Sequence, residues 1–140
     1  MSTTITKFYS FEEACREKKH NLASDDLKWV LCLTAPVVTN TVLADITQIA
    51  NGNGYTTGGT SMTVTSSGSS SGLYTLMASA VTFTASGGTM ATFRYAVLYN
   101  NTATNDELIG FIDFSTGRSL ATGEYVTITP DATSGLYYAS

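Results

Sequence analysis

The stretch MATFRYAVLYN, Met90 to Asn100, is apolar on both of its faces. Phe93, Tyr95, Val97 and Tyr99 fall on one side of an extended chain, Ala96 and Leu98 on the other. A strand with one face in water alternates apolar and polar residues; one that does not must lie between layers. The reading is a central strand of a β-sheet. Arg94 is the exception within it. A charge in such a strand is costly unless paired, so a carboxylate partner is expected, Asp113 or Glu107, or else a partner subunit.

Outward from this strand the same period recurs. LKWVLCLT, from Leu27, reads as a second strand buried on both faces, followed by the irregular connection APVVTNTVLADITQIA with one helical turn around Asp45–Ile49. SMTVTSS and LYTLMAS are separated by GSSSG, which reads as a flexible loop. AVTFTAS, ELIGFIDF, YVTITP and a short GLYYA complete the strand set. Breaks rich in Gly, Asn, Ser and Asp (SGGT, NNTATND, STGRSLATGE, DATSG) separate them. Short strands at this spacing predict a mainly β chain, an antiparallel β-sandwich or barrel, jelly-roll-like, with one short N-terminal helix. Val64, Phe83 and Ile128 sit centrally in Thr-x-Thr triplets, so they should share an inward face with the threonines outward.

The helix is expected from Ser10, where Ser10 and Glu13 have capping-box spacing. Phe11, Ala14 and Cys15 recur at helical spacing, and Lys18, Lys19 and His20 lie at the C-terminal end, where the macrodipole favours cations. A length of 140 residues suits one domain. Residues 1–140 are therefore read as a single β domain, with residues 1–26 as a helical arm.

Composition narrows the chemistry. Charged residues are 13% of the chain, about half the usual share, while 24 threonines and 15 serines supply polarity. Such a surface is easily desolvated against a partner. Residues 1–28 balance five basic and five acidic side chains, and the remainder carries a net −4. Nucleic-acid binding wants a basic stripe with interleaved aromatics, and Lys18-Lys19-His20 is the only basic run, so no direct nucleic-acid contact is expected. No apolar run has the length of a membrane span. The opening residues lack a signal-peptide core, which points to assembly in a cytoplasm. Cys15 and Cys32 read as free, buried thiols.

NGNGYTTGGT, residues 51–60, is the densest glycine cluster, but it is no phosphate loop. The glycines are out of step with GxGxxG, no lysine follows, and the next element is a strand rather than a helix. His20, the single histidine, sits beside two lysines at a helix end and is read as exposed. Zinc would want more Cys and His than the chain has. Asn100–Glu107, and Asp45 with Asn51 and Asn53, are thin calcium candidates better explained as turns. No cofactor, metal or catalytic residue is expected, and the chain is read as no enzyme.

VLADITQIANGNGYTTGG, VTFTASGGTMATFRYAVLYNNT and LIGFIDF, with the opening KFYSFEEACREKKHNLASDDLKWVLCLT, resemble a group of small virion structural proteins of tailed bacteriophages. The resemblance covers the chain to about residue 130 and is carried most specifically by the Asn-Gly-Tyr loop and the FRYAVLYN strand. It implies a capsid decoration (cement) protein in the virion, assembled in the host bacterial cytoplasm. Its partners would be the major capsid protein and copies of itself, as trimer or dimer. The alternative within the resemblance is a tail-associated subunit: tube, terminator or fibre base. A carbohydrate-binding module is a third class, with Tyr137-Tyr138 near Asp131 as its only candidate cluster. The expected contact regions are residues 1–20 and the loops 51–60 and 66–72. Tyr9, Phe11, Tyr55, Tyr74 and Arg94 are the candidate interface residues, since large aromatics and arginine favour interface centres.

Overall fold

The computed structural model describes residues 5–129 and 137–139. Its strands, in chain order, are β1 (Thr6–Lys7), β2 (Leu27–Cys32), β3 (Thr60–Met62), β4 (Val64–Ser70), β5 (Leu73–Ala78), β6 (Val81–Thr84), β7 (Phe93–Asn100), β8 (Leu108–Arg118), β9 (Tyr125–Ile128) and β10 (Tyr137–Ala139), with one helix, α1 (Ser10–Arg16). The stretch that is apolar on both faces, β7, is the middle strand of a five-stranded sheet ordered β1-β8-β7-β2-β3. Two smaller sheets, β10-β5-β4 and β6-β9, form the opposing layer. Every named pairing is antiparallel. The chain is mainly β and sandwich-like, as its alternation predicts.

The core lies between the layers. Leu27, Trp29 and Leu31 from β2 and Phe93, Ala96 and Leu98 from β7 meet Leu76, Val81, Phe83, Val126 and Ile128 from the smaller sheets. Trp29 and Phe93 are wholly buried, and removing side chains of this size from water contributes about 2–3 kcal/mol each. The Thr-x-Thr reading holds here: Phe83 and Ile128 face inward, and Thr82 and Thr127 hydrogen-bond across the outer face at 3.0 Å.

The other face of the large sheet carries a second cluster: Phe8, Val30, Cys32, Val97, Tyr99 and Leu108, with Leu43 and Ile46 packed on it. Those last two come from the connection between β2 and β3, which is held by Leu43 N–H to Asp106 C=O at 3.0 Å and Leu108 N–H to Thr41 C=O at 3.0 Å. Its single helical turn is a 3₁₀ turn at Leu43–Asp45, slightly earlier than expected. The Asp45 carboxylate accepts the Thr41 and Val42 backbone N–H groups, which holds its pKa below the usual carboxylate value.

Three local expectations are corrected. The helix begins after Tyr9, and no side chain caps it. The Ser10–Glu13 capping box does not form, because Ser10 already lies in the first helical turn. The helix is anchored instead by burial of Phe11 and Ala14. GSSSG is no flexible loop: β4 runs through Ser70, and only Ser71 and Gly72 turn, at φ 53° and 82°. That is the two-residue hairpin geometry in which both central residues take positive φ. Lastly, β8 continues through Ser115–Arg118, where a turn was expected.

The N-terminal segment is built into the body. β1 pairs with β8, and Phe8 N–H reaches Ile109 C=O at 3.2 Å. A Cβ on Gly110 would lie 2.7 Å from the Ile5 side chain, so the glycine lets this edge close. From residue 5 onward the segment is thus tied to the large sheet through β1 and to the core through Phe11.

Candidate functional site

The structure separates the five candidate interface residues. Tyr9 is exposed, at 73%, with its N–H on Val38 C=O at 2.9 Å and the exposed Val37 alongside in sequence. Arg94 is paired within the chain: Nε donates to Asp113 Oδ1 at 2.8 Å and a terminal nitrogen to Oδ2 at 3.1 Å. This is the carboxylate partner expected for it, and it lowers the Asp113 pKa. The register explains the geometry. Phe93 pairs with Arg118 and Tyr95 with Asp113, so Arg94 sits at an irregularity and its head stays half-exposed.

Phe11 and Tyr55 are corrections. Phe11 has no exposed surface and Tyr55 has 1%. Phe11 is the residue that attaches α1 to the core. Tyr55 is placed by its glycines. Asn53 and Gly54 take φ 54° and 100°, and Gly52 and Tyr55 exchange backbone hydrogen bonds at 2.7 and 3.1 Å. The tight turn points the ring inward to 6.1 Å from Phe83. The hydroxyl donates to Gln48 Oε1 at 2.6 Å and accepts from Leu31 N–H at 3.4 Å. Gly58 N–H also reaches Gln48 Oε1, and Tyr99 donates to Gly58 C=O at 2.7 Å. Within loop 51–60, Tyr55 is a plug for the core, while Asn51, Asn53, Gly54, Thr56, Thr57 and Thr60 are exposed.

Tyr74 is half-buried and joins a site that the sequence did not disclose. A groove of about 650 Å³ lies between α1, the segment that follows it and the β4–β5 hairpin. Glu12 and Cys15 from the helix, His20 and Leu22 beyond it, and Ser67 and Tyr74 from the hairpin contribute to its walls. The Ser67 and Tyr74 hydroxyls hydrogen-bond at 2.8 Å. Burial, with Glu12 nearby, pushes the Cys15 thiol up to about 11, and burial pushes Cys32 to about 12. Both stay protonated at neutral pH: Lys7 and Arg16 pull the Cys15 value down, but by less than burial and Glu12 raise it.

His20, expected on the surface, is 8% exposed. Asn100 Oδ1 accepts the Thr102 and Ala103 backbone N–H groups, so its amide nitrogen faces the other way. That nitrogen donates to Asp25 Oδ2 at 2.6 Å and contacts His20 Nδ1 at 2.9 Å. Nδ1 must therefore accept, which places the proton on Nε2, a buried atom with no hydrogen-bond partner among the described residues. Burial lowers the His20 pKa, against the opposing charges of Glu107 and Asp25. A lone histidine after two lysines gives no sequence signal for this; its partner lies 80 positions away.

The calcium candidates are accounted for by turns. Asp45 caps backbone groups, and Asn51 Oδ1 and Asn53 Nδ2 bond the backbone at Thr57 and Thr89. Among the described residues no group of three or more His, Cys, Asp or Glu is arranged to hold a metal ion, and no helix is long and apolar enough to cross a membrane. Asp131 lies outside the described residues, as do the side chains of Tyr137 and Tyr138.

The described surface has its own asymmetry. Between Asp45 and Arg94 the chain has no charged residue, and this run includes the whole β4–β5 hairpin. Thr65, Ser66, Gly68, Ser69, Ser71 and Gly72 are exposed along it. No protein-family model, curated protein or solved structure matches the chain.

Proposed function

We propose that this chain is a virion structural protein of a tailed bacteriophage. In this reading it is a capsid decoration subunit that binds the assembled major capsid protein shell and braces it. The observation that carries the reading is the uncharged, hydroxyl-covered β4–β5 hairpin, in a chain whose sequence resembles that virion group. Interface centres are depleted of charge, because a charge costs more to desolvate than a hydroxyl that finds a new partner. A surface of this kind suits repeated docking on a lattice, where several modest contacts made at once multiply the effective affinity. The exposed Tyr9 and Val37 supply an aromatic and an aliphatic contact outside the hairpin sequence. A tail-tube subunit is the second reading, favoured by the hairpin's length, since β4 and β5 together span Val64–Ala78.

The test is to incubate the recombinant protein with undecorated heads, then count bound copies and heat the particles. Decoration predicts saturable binding at a fixed ratio to the shell protein and less DNA release on heating. Heads that bind nothing and are equally heat-stable with and without the protein would overturn it. Virions that lack the protein and have sound heads but no tails would favour the tail reading.

A further inference from the structure

β4 is an end strand of its sheet, with β5 on one side and no strand paired to its other edge among the described residues. Natural edges are blunted by charge, proline, shortness or bulges. This one is seven residues long and has neither charge nor proline. An irregularity near Thr65 protects only its base; from Ser66 to Ser70 the register with β5 is regular.

The sequence of that regular part reads the same in both directions: Ser66-Ser67-Gly68-Ser69-Ser70. An antiparallel pair formed by two copies of one strand places residues symmetrically about a dyad. Centred on Gly68, it sets Gly68 against Gly68, Ser67 against Ser69 and Ser66 against Ser70. The backbone phase fits this centre. In a two-residue hairpin the flanking pair, here Ser70 and Leu73, exchanges its backbone bonds, and alternation along the strand then turns the N–H and C=O of Ser67 and Ser69 outward. Those are the residues that the dyad sets opposite each other. Gly68 falls at the non-bonded position, where the two chains come closest, and a Cβ built there meets nothing within 4 Å.

We propose that the β4 edge is a self-association site, where a second copy of this chain adds its own β4 about a two-fold axis at Gly68. The two three-stranded sheets then run on as one six-stranded sheet, β10-β5-β4 from one copy and β4-β5-β10 from the other. Two copies pair about a dyad whatever their sequence; what Ser66–Ser70 adds is that the dyad then sets serine against serine and glycine against glycine, so this small, uncharged edge is complementary to itself. An uncharged edge also meets itself without like-charge repulsion. The inference does not depend on the virion reading.

Light scattering on the purified full chain should give twice its mass of 14.8 kDa. Gly68→Lys and Gly68→Glu should each be monomeric, because like charges then face each other at the dyad, and mixing the two should restore the dimer. Both side chains enter open space on the hairpin, so circular dichroism should be unchanged. Gly68→Cys, under mild oxidation, should form a covalent dimer on a non-reducing gel. Thr122→Cys, an exposed position in the turn between β8 and β9, should not. A wild-type chain that stays monomeric at every concentration overturns the proposal, as does a Gly68→Lys variant that remains dimeric. Failure of Gly68→Cys to crosslink any better than Thr122→Cys does the same. A monomer that still docks on phage heads ends this inference and leaves the virion reading standing; a dimer that never docks does the reverse.

Discussion

The Asn53-Gly54 turn and the Ser71-Gly72 turn have nearly the same backbone. φ is 54° and 100° in the first, 53° and 82° in the second. Their surroundings are opposite. A Cβ on Gly54 would lie 2.1 Å from Thr84 C=O, whereas a Cβ on Gly72 meets nothing within 4 Å. The first turn inserts Tyr55 into the core, and the second closes a hydroxyl-covered hairpin in which Ser71 and Gly72 are exposed. Positive-φ turn chemistry therefore fixes the bend and leaves the environment open. That is decided by where the turn falls relative to the layers.

The largest effect that would sharpen this contrast is Tyr55→Ala. Loss of a fully buried aromatic costs about 3–5 kcal/mol in cavity and transfer terms. Chemical denaturation should show that loss; under the proposed function, the protein that remains folded should still dock on phage heads as the wild type does. A Tyr55→Ala chain with wild-type stability would break the contrast, since Tyr55 would then not be a core plug. Tyr55→Phe separates packing from polarity. It keeps the ring and removes the hydroxyl between Gln48 and Leu31, so it should cost about 1 kcal/mol.

The two glycines make a smaller, paired test. Gly72→Ala meets only the left-handed backbone penalty, about 1–2 kcal/mol. Gly54→Ala adds a clash with a main-chain oxygen that cannot swing aside, so it should cost about 3 kcal/mol or more. Equal losses for the two variants, measured in one denaturant series, would show that backbone conformation alone governs both turns.

How much of this was legible in the sequence differs between the same regions. β7 and β2 could be read because burial on both faces leaves a continuous apolar run. Arg94 could be read because a charge in such a run demands a partner, and Asp113 was the carboxylate one strand away. Tyr55 could not. A tyrosine among glycines looks the same whether its turn faces solvent or core, and only the strand at Thr84 and the amide of Gln48 settle which. The hairpin was misread for a related reason: Ser and Gly in GSSSG have low strand propensity, but β5 supplies a pairing partner that overrides it. His20 was invisible, because its burial is made by Asn100 and Asp25, which nothing local connects to it.

The smallest expected effect lies at the seam between the two regions, where the segment after α1 meets both the hairpin groove and the end of β7. His20 there is held neutral: burial lowers its pKa from 6.5, Lys19 adds to that, and Glu107 and Asp25 oppose it. The unfolded chain thus takes up the proton at higher pH than the folded one. Stability from this group is complete above about pH 6.5 and declines as the pH falls through that value towards the lower folded pKa. The slope cannot exceed about 1.4 kcal/mol per pH unit. Protonation would also put a hydrogen on Nδ1, facing the Asn100 amide nitrogen whose oxygen is tied to Thr102 and Ala103, so the contact could not survive a simple flip. Melting temperatures between pH 7.5 and 5.5 should therefore fall for the wild type, and fall less for His20→Gln, which lacks the titrating group. A wild-type chain equally stable at both ends of that range would mean that His20 reaches solvent readily, and that the seam is looser than the core that Tyr55 closes.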